Sequence, residues 1–176
     1  MKNTISFQIE IEQVLSTNQS NANSELWSKM PYTEAVLLEI QRLGNIAPNA
    51  LLHATSKIMK IENYVLPAGT NINSSMLSIM MDPKAFKDPE QFKPERFIDA
   101  NDGSFVPHPN VVPFGIGKRR CLGESLAKTE LFIFFTGLIE KFEIKLADEK
   151  EKPSTKYRPG LTLAPYPFKV RFVSRH

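Results

Sequence analysis

The spacing of apolar residues along the chain predicts helices in its first quarter. Between residues 5 and 15, apolar and polar positions nearly alternate, which fits a strand, but Glu10 and Glu12 favour a helix. Residues 16–24 are rich in serine and asparagine and predict a loop. A second helix is predicted over 31–43, because it begins with proline and is followed by glycine.

The rest of the pattern predicts short strands, a coil and one long helix. Residues 55–73 predict a β-hairpin that turns at 67–69, and residues 74–81 predict a short helix. Residues 82–113 are rich in proline and predict an ordered coil. The segment from Leu122 to Phe142 is apolar on several faces, so we expect a helix that is buried nearly all round. Further strands are predicted over Glu143–Leu146, Leu161–Ala164 and Phe168–Val173.

Together these elements predict an α+β fold, mainly α with small β-sheets, forming one partial domain over residues 1–176. The contents of hydrophobic residues, 41%, and charged residues, 23%, are those of a globular protein. A net charge of +3 gives no argument for a nucleic-acid partner. The single cysteine excludes an intramolecular disulfide. We expect neither a signal peptide nor a membrane span, because no long apolar run is present.

That cysteine, Cys121, lies in the most informative segment, FGIGKRRCLG at residues 114–123. Gly117 can take the positive φ of a tight turn, and Gly123 lets a flat group approach the backbone. A helix that begins just after the sulfur would direct free N–H groups at it and favour the thiolate. A lone thiolate with such donors suits a haem iron ligand, and the alternative is a buried structural cysteine.

The segment resembles the haem-binding signature of the cytochrome P-450 superfamily, F-x-x-G-x-R-x-C-x-G. Phe114, Gly117, Arg119, Cys121 and Gly123 occupy its five fixed places. The resemblance implies that Cys121 is the axial ligand of haem b, with the other four residues in the cofactor site. It extends from about residue 7 to residue 172, and it is greatest to the microsomal animal branch.

Two further segments match the superfamily in the same order. Glu39 and Arg42 stand three residues apart, so they project from one helical face, where an exposed surface pair is the simpler interpretation. The run at 94–97 is PERF. The resemblance implies that Glu39, Arg42 and Arg96 form one buried structural network that holds this run, and through it the cysteine loop, to the helix.

The resemblance also suggests residues around the cofactor. His53, which on its own is more simply an ordinary histidine, corresponds to a basic residue that contacts a haem propionate, and Arg119 approaches from the cysteine side. Lys118, Arg120 and Lys128 are either solvated charges or a docking surface for an acidic electron donor.

The resemblance also implies a substrate pocket. The apolar turn from Ala47 to Leu51 and the tip at Leu161 would line a pocket for a lipophilic substrate, and core packing is the alternative.

Members of the microsomal branch are monooxygenases that insert one atom of O₂ into a lipophilic substrate. Their electrons come from an NADPH-dependent reductase, so NADPH acts only indirectly, and they lie on the cytosolic face of the endoplasmic reticulum membrane. The family's oxygen-activating distal helix and its membrane anchor would precede this chain, which resembles the C-terminal third. A truncated, non-catalytic remnant that at most binds haem is therefore the alternative, and a peroxide-rearranging member is a third possibility.

Overall fold

The computed structural model describes residues 2–18 and 24–175. It contains four α-helices, α1 Lys2–Asn18, α2 Pro31–Gly44, α3 Met76–Met80 and α4 Glu124–Lys141, within that part of the chain. Short 3₁₀ turns occupy Ser24–Lys29, Pro94–Phe97 and Gly117–Arg119. The helix predicted over residues 5–15 is confirmed, and the loop predicted over 16–24 is wrong at residues 16–18, which continue α1, and at Ser24, which begins the first 3₁₀ turn. Residues 19–23 of that loop lie outside the described residues.

In the described part of the chain, the strands form four two-stranded antiparallel sheets. They pair as β1 His53–Ala54 with β4 Asn71–Ile72, β2 Met59–Ile61 with β3 Tyr64–Leu66, β5 Phe142–Leu146 with β8 Val170–Ser174, and β6 Tyr157–Arg158 with β7 Ala164–Pro165. The mixture of helices with small sheets confirms the α+β fold.

The hairpin predicted over 55–73 is present, but its turn lies at residues 62–63, between β2 and β3, and not at 67–69. The chain after Gly69, which has φ +80°, does not extend that sheet but returns to pair with β1, upstream of the predicted hairpin. The last sheets show a similar shift: the strand predicted from Leu161 begins only at Ala164, and its partner β6 was not predicted.

The core consists of two apolar clusters on opposite sides of α2. The helical cluster joins α1, the first 3₁₀ turn, α2 and α4, and its buried members are Ile11, Leu15, Leu26, Met30, Leu37 and Phe132. The meander cluster joins α2 to the proline-rich segment, and its buried members are Ala35, Phe86 and Phe97. Because both clusters use α2, this helix fixes the proline-rich segment relative to α4.

The prediction that the helix after the cysteine is buried nearly all round is wrong for the described chain. Only Phe132 and Thr136, one turn apart on the face toward the helical cluster, are fully buried in α4. Phe134 is 67% exposed and Leu126 is 62% exposed. The described residues therefore pack against one face of α4 and leave its other apolar faces exposed to solvent. No described helix is long and apolar enough to cross a membrane.

Candidate functional site: a cysteine loop and a buried ion network

The beginning of α2 is held by a carboxylate from another helix. Met30 precedes α2 and has no side chain able to cap it. Glu10 of α1 supplies the missing acceptor: its carboxylate accepts the backbone N–H groups of Tyr32 at 2.9 Å and Thr33 at 2.6 Å, and the Thr33 hydroxyl at 2.6 Å. Sequence reasoning missed this role, because the absent cap shows that a partner is needed but not which residue provides it.

The structure brings Glu39, Arg42 and Arg96 together. The Glu39 carboxylate accepts Nε of Arg42 at 2.7 Å, Nη2 of Arg42 at 2.9 Å and Nε of Arg96 at 3.2 Å. It also accepts the backbone N–H of Lys93 at 3.0 Å. The side chains of Glu39 and Arg42 are fully buried, and that of Arg96 is 12% exposed. A buried charge pair is stable only when further hydrogen bonds satisfy it, and this one has them.

The remaining donors of the two arginines reach backbone carbonyls. Arg42 donates to the carbonyl of Met80 at 2.8 Å and to that of Pro89 at 2.7 Å. Arg96 donates to the carbonyl of Lys87 at 3.1 Å. The network therefore fixes the path of the proline-rich segment over the surface of α2.

A hydrogen bond outside this network also connects α2 to the proline-rich segment. The Tyr32 hydroxyl donates to the Glu95 carboxylate at 2.7 Å, which joins the first turn of α2 to the PERF segment. Burial and this carboxylate raise the pKa of Tyr32 well above its usual value. Tyr32 and Glu39 are seven residues apart, two helical turns, so they hold the segment at two points of the same face.

The cysteine loop is closed by backbone bonds and by glycines with positive φ. Gly115 and Gly117 have φ of +75° and +72°. The N–H of Cys121 donates to the carbonyl of Phe114 at 2.9 Å, so the loop folds back on itself. The Cys121 thiol is exposed, and a Cβ placed on Gly123 would lie 4.0 Å from its sulfur. Helix α4 begins at the next residue.

The residues that flank the thiol in the sequence include exposed apolar and exposed basic side chains. Ile116 is 72% exposed and Leu122 is fully exposed. Arg120 and Lys128 both pair with Glu124, at 2.9 and 2.8 Å, which offsets part of their charge. Among the described residues, Lys118 and Arg119 are exposed and form no ion pair.

The other predicted residues lie apart from this loop. His53 is exposed on β1, and no hydrogen bond between described residues joins it to Arg119. Leu51 and Leu161 are 86% and 97% exposed, and Ala47 is exposed too. The two apolar segments do approach each other, because the N–H of Leu163 donates to the carbonyl of Ile46 at 2.8 Å.

A thiol presented by glycine turns at the start of a helix, in a chain that also contains a buried carboxylate–guanidinium network, is typical of the haem-thiolate proteins. The chain belongs to the cytochrome P-450 family, whose family model matches residues 6–172. It is 41% identical to human cytochrome P-450 2U1 over 166 residues, which is 94% of this chain and 30% of that protein. It is 40% identical to the male-specific cytochrome P-450 2C13 of Rattus norvegicus over 171 residues, 97% of this chain and 34% of that protein.

These matches confirm the resemblance to the microsomal animal branch. The chain spans about a third of the length of the curated relatives it matches. Members of the family are in general haem-thiolate monooxygenases, so haem is the cofactor that the family implies.

Proposed function

We propose that this chain forms the thiolate side of the haem site of a monooxygenase, with Cys121 as the axial iron ligand. The observation that carries the proposal is the exposed Cys121 thiol, held at the start of α4 by a loop that carries the complete five-residue signature. Within the described part of the chain, no group of three His, Cys, Asp or Glu side chains could hold a metal ion. One cysteine suits an iron whose other ligands come from a macrocycle.

The residues of the loop fit haem b. The exposed side chains of Ile116 and Leu122 offer an apolar surface to a flat macrocycle. The absence of a side chain at Gly123 keeps the approach to the sulfur open. Arg119, which is free of ion pairs among the described residues, can bind a propionate carboxylate, and His53 is the candidate for a second such contact. When bound, the haem would supply the activation of O₂, and the thiolate would donate electron density to the iron.

The substrate proposed for the complete enzyme is lipophilic. Ala47, Leu51 and Leu161 are exposed and apolar, and the bond between Leu163 and Ile46 places their two segments side by side. An apolar surface of this kind binds substrate by excluding water from it. We propose that these segments form one wall of the pocket and that the oxygen-activating wall comes from a part of the protein outside this chain.

Electrons would come from an NADPH-dependent reductase at the endoplasmic reticulum membrane. Lys118 forms no ion pair among the described residues and carries the attraction for an acidic partner, while Arg120 and Lys128 contribute less because Glu124 offsets their charge. Charge reversal at Lys118 should slow reduction and weaken its dependence on salt. Lys60→Glu, on the exposed strand β2, is the matched control. Equal reduction rates in the two variants would mean that the Lys118 charge is only solvated.

The iron ligand is tested by the absorption spectrum of the reduced carbon monoxide complex. The chain loaded with haem should show the red-shifted band of a thiolate ligand, and Cys121→Ala should abolish it. Ser125→Ala, an exposed position in the first turn of α4, is the control and should keep the band. A band that persists in Cys121→Ala would contradict the assignment.

The exposed face of α4 favours a second candidate, a haem-binding remnant without turnover. Leu126, Phe134 and Leu138 are exposed and apolar, which is typical of a surface that another polypeptide segment covers. The chain alone, given haem, reductase, NADPH and lipophilic substrates, should therefore form no product. Coupled hydroxylation by the chain alone would exclude the remnant and would show that the 176 residues suffice for turnover.

A further inference from the structure

The imidazole of His108 lies where the meander cluster meets the segment leading to the cysteine loop. Its ring centroid is 4.6 Å from that of Phe86, with the two planes inclined at 49°. Its Nδ1 accepts the backbone N–H of Asn110 at 3.1 Å. One side chain thus contacts the core and also shapes its own turn.

Phe86 connects His108 to the ion network. The Phe86 side chain is 2% exposed and belongs to the meander cluster. The guanidinium of Arg42 lies 5.0 Å from the centre of its ring, and that of Arg96 lies 5.9 Å away. Both distances are within the range of a cation–π interaction. The ring on which His108 rests is therefore fixed by the same two arginines that bind Glu39.

A series of closed turns leads from His108 to the cysteine. The carbonyl of His108 accepts the N–H of Val111 at 3.0 Å, and Val111 packs against the meander cluster. The N–H of Gly115 then donates to the carbonyl of Val112 at 3.0 Å, and the N–H of Cys121 donates to that of Phe114 at 2.9 Å. Because the three turns, at 108–111, 112–115 and 114–121, follow one another without a gap, the direction of the first turn carries through to the cysteine loop.

We propose that His108 is a positioning residue for the cysteine loop, relaying the Glu39–Arg42–Arg96 network to Cys121 through Phe86 and the turn at 108–111. The placement of the loop matters for chemistry only if Cys121 binds haem iron, so this inference rests on the proposed function. The contacts that carry it are independent of haem and can be tested without it.

The two contributions of the imidazole can be separated by substitution. His108→Phe retains a ring against Phe86 and removes the acceptor for Asn110. His108→Asn removes the ring and retains an acceptor, because the asparagine Oδ1 can accept the N–H two residues on. His108→Ala removes both. His53→Ala, on the exposed strand β1, is the matched control.

Amide hydrogen exchange of the 176-residue chain, read by mass spectrometry, measures the outcome. His108→Ala should speed exchange in peptides covering residues 110–121 roughly five- to tenfold. The Phe and Asn variants should each recover part of the protection, and peptides of α2 should exchange as in the wild type. A general loosening of the fold would instead speed α2 equally.

Unchanged exchange at residues 110–121 in His108→Ala, or an equal increase in α2, would overturn the relay. The proposed function fails by a different result, the absence of a thiolate band from the haem-loaded wild type. The two failures are therefore distinguishable.

Discussion

Replacing Glu39 by glutamine should destabilise the chain strongly while hardly changing its shape. Glutamine can keep the oxygen that accepts Arg42 Nη2, Arg96 Nε and the N–H of Lys93. Its amide nitrogen then replaces the oxygen that accepts Arg42 Nε at 2.7 Å, so two donors face each other. Two guanidinium groups, one of them fully buried, lose their counterion.

The size of this effect follows from burial. Breaking one partner of a buried ion pair costs about 3–5 kcal/mol, because the other charge stays uncompensated in a region without water. For a chain of this size, each kcal/mol lowers the melting temperature by about 2–4 °C, so Glu39→Gln should lower it by roughly 6–20 °C.

Asp88→Asn is the matched control, because it neutralises a carboxylate in a pair of similar length whose members are both 40% exposed. The Lys93 ammonium holds the pKa of Asp88 below its usual value, yet an exposed pair contributes little to stability. Thermal and urea unfolding followed by circular dichroism would compare the two variants with the wild type. Equal shifts would refute the reasoning, because burial would then make no difference to the value of the charge.

Three further substitutions test features that lie outside this network. Glu10→Ala should lower the midpoint of urea unfolding, because it removes the acceptor for two backbone N–H groups of α2, with a cost of about 1–3 kcal/mol. Glu12→Ala, at an exposed position of the same helix, should lower that midpoint less. Burial raises the pKa of Glu34 above 4.5, so the folded state holds this proton to higher pH than the unfolded state does and loses stability as pH rises between the two values. Glu34→Gln should flatten that part of the stability–pH curve, and an unchanged slope would contradict it. Gly117→Ala should lower the melting temperature, because φ is +72° at this position and a side chain there costs about 1–2 kcal/mol. Gly44→Ala should not lower it, because Gly44 is helical and has as much free space around it for a Cβ. Equal shifts in melting temperature would mean that φ is irrelevant.

The sequence predicted the elements whose signals are local. Proline at position 31 marks the start of α2, as predicted. The helix runs one residue past the predicted end and includes Gly44, and the positive φ that follows it belongs to Asn45. The apolar alternation at residues 5–15 proved helical, since the buried positions Ile11 and Leu15 are four apart. Local signals of this kind need no knowledge of distant segments.

Features that depend on distant segments were missed. Nothing in the sequence near α2 indicates that Glu10 caps it, and nothing near His108 indicates that Phe86 lies beneath its ring. The extent to which α4 is buried was predicted wrongly, because apolar composition shows which faces could be covered but not which faces this chain covers. The sequence motifs identified Cys121, Glu39 and Arg42 as candidate residues. They could not predict which distant backbone groups these side chains would contact, such as the carbonyls of Met80 and Pro89.

The way in which Arg42 is bound has a consequence for how this protein can diverge. Apart from Glu39 and the Met81 sulfur, at 3.4 Å, its hydrogen-bond partners are the main-chain carbonyls of Met80 and Pro89. A carbonyl is the same group in every residue, so these bonds recognise the course of the backbone and not the side chains along it. Exposed positions of the intervening segment, such as Lys84 and Lys87, are thus free to exchange their side chains during evolution, or in a designed chimaera, as long as the backbone follows the same path, whereas the buried Phe86 is not. Insertion or deletion of a residue there, in contrast, would shift both carbonyls out of register with one guanidinium.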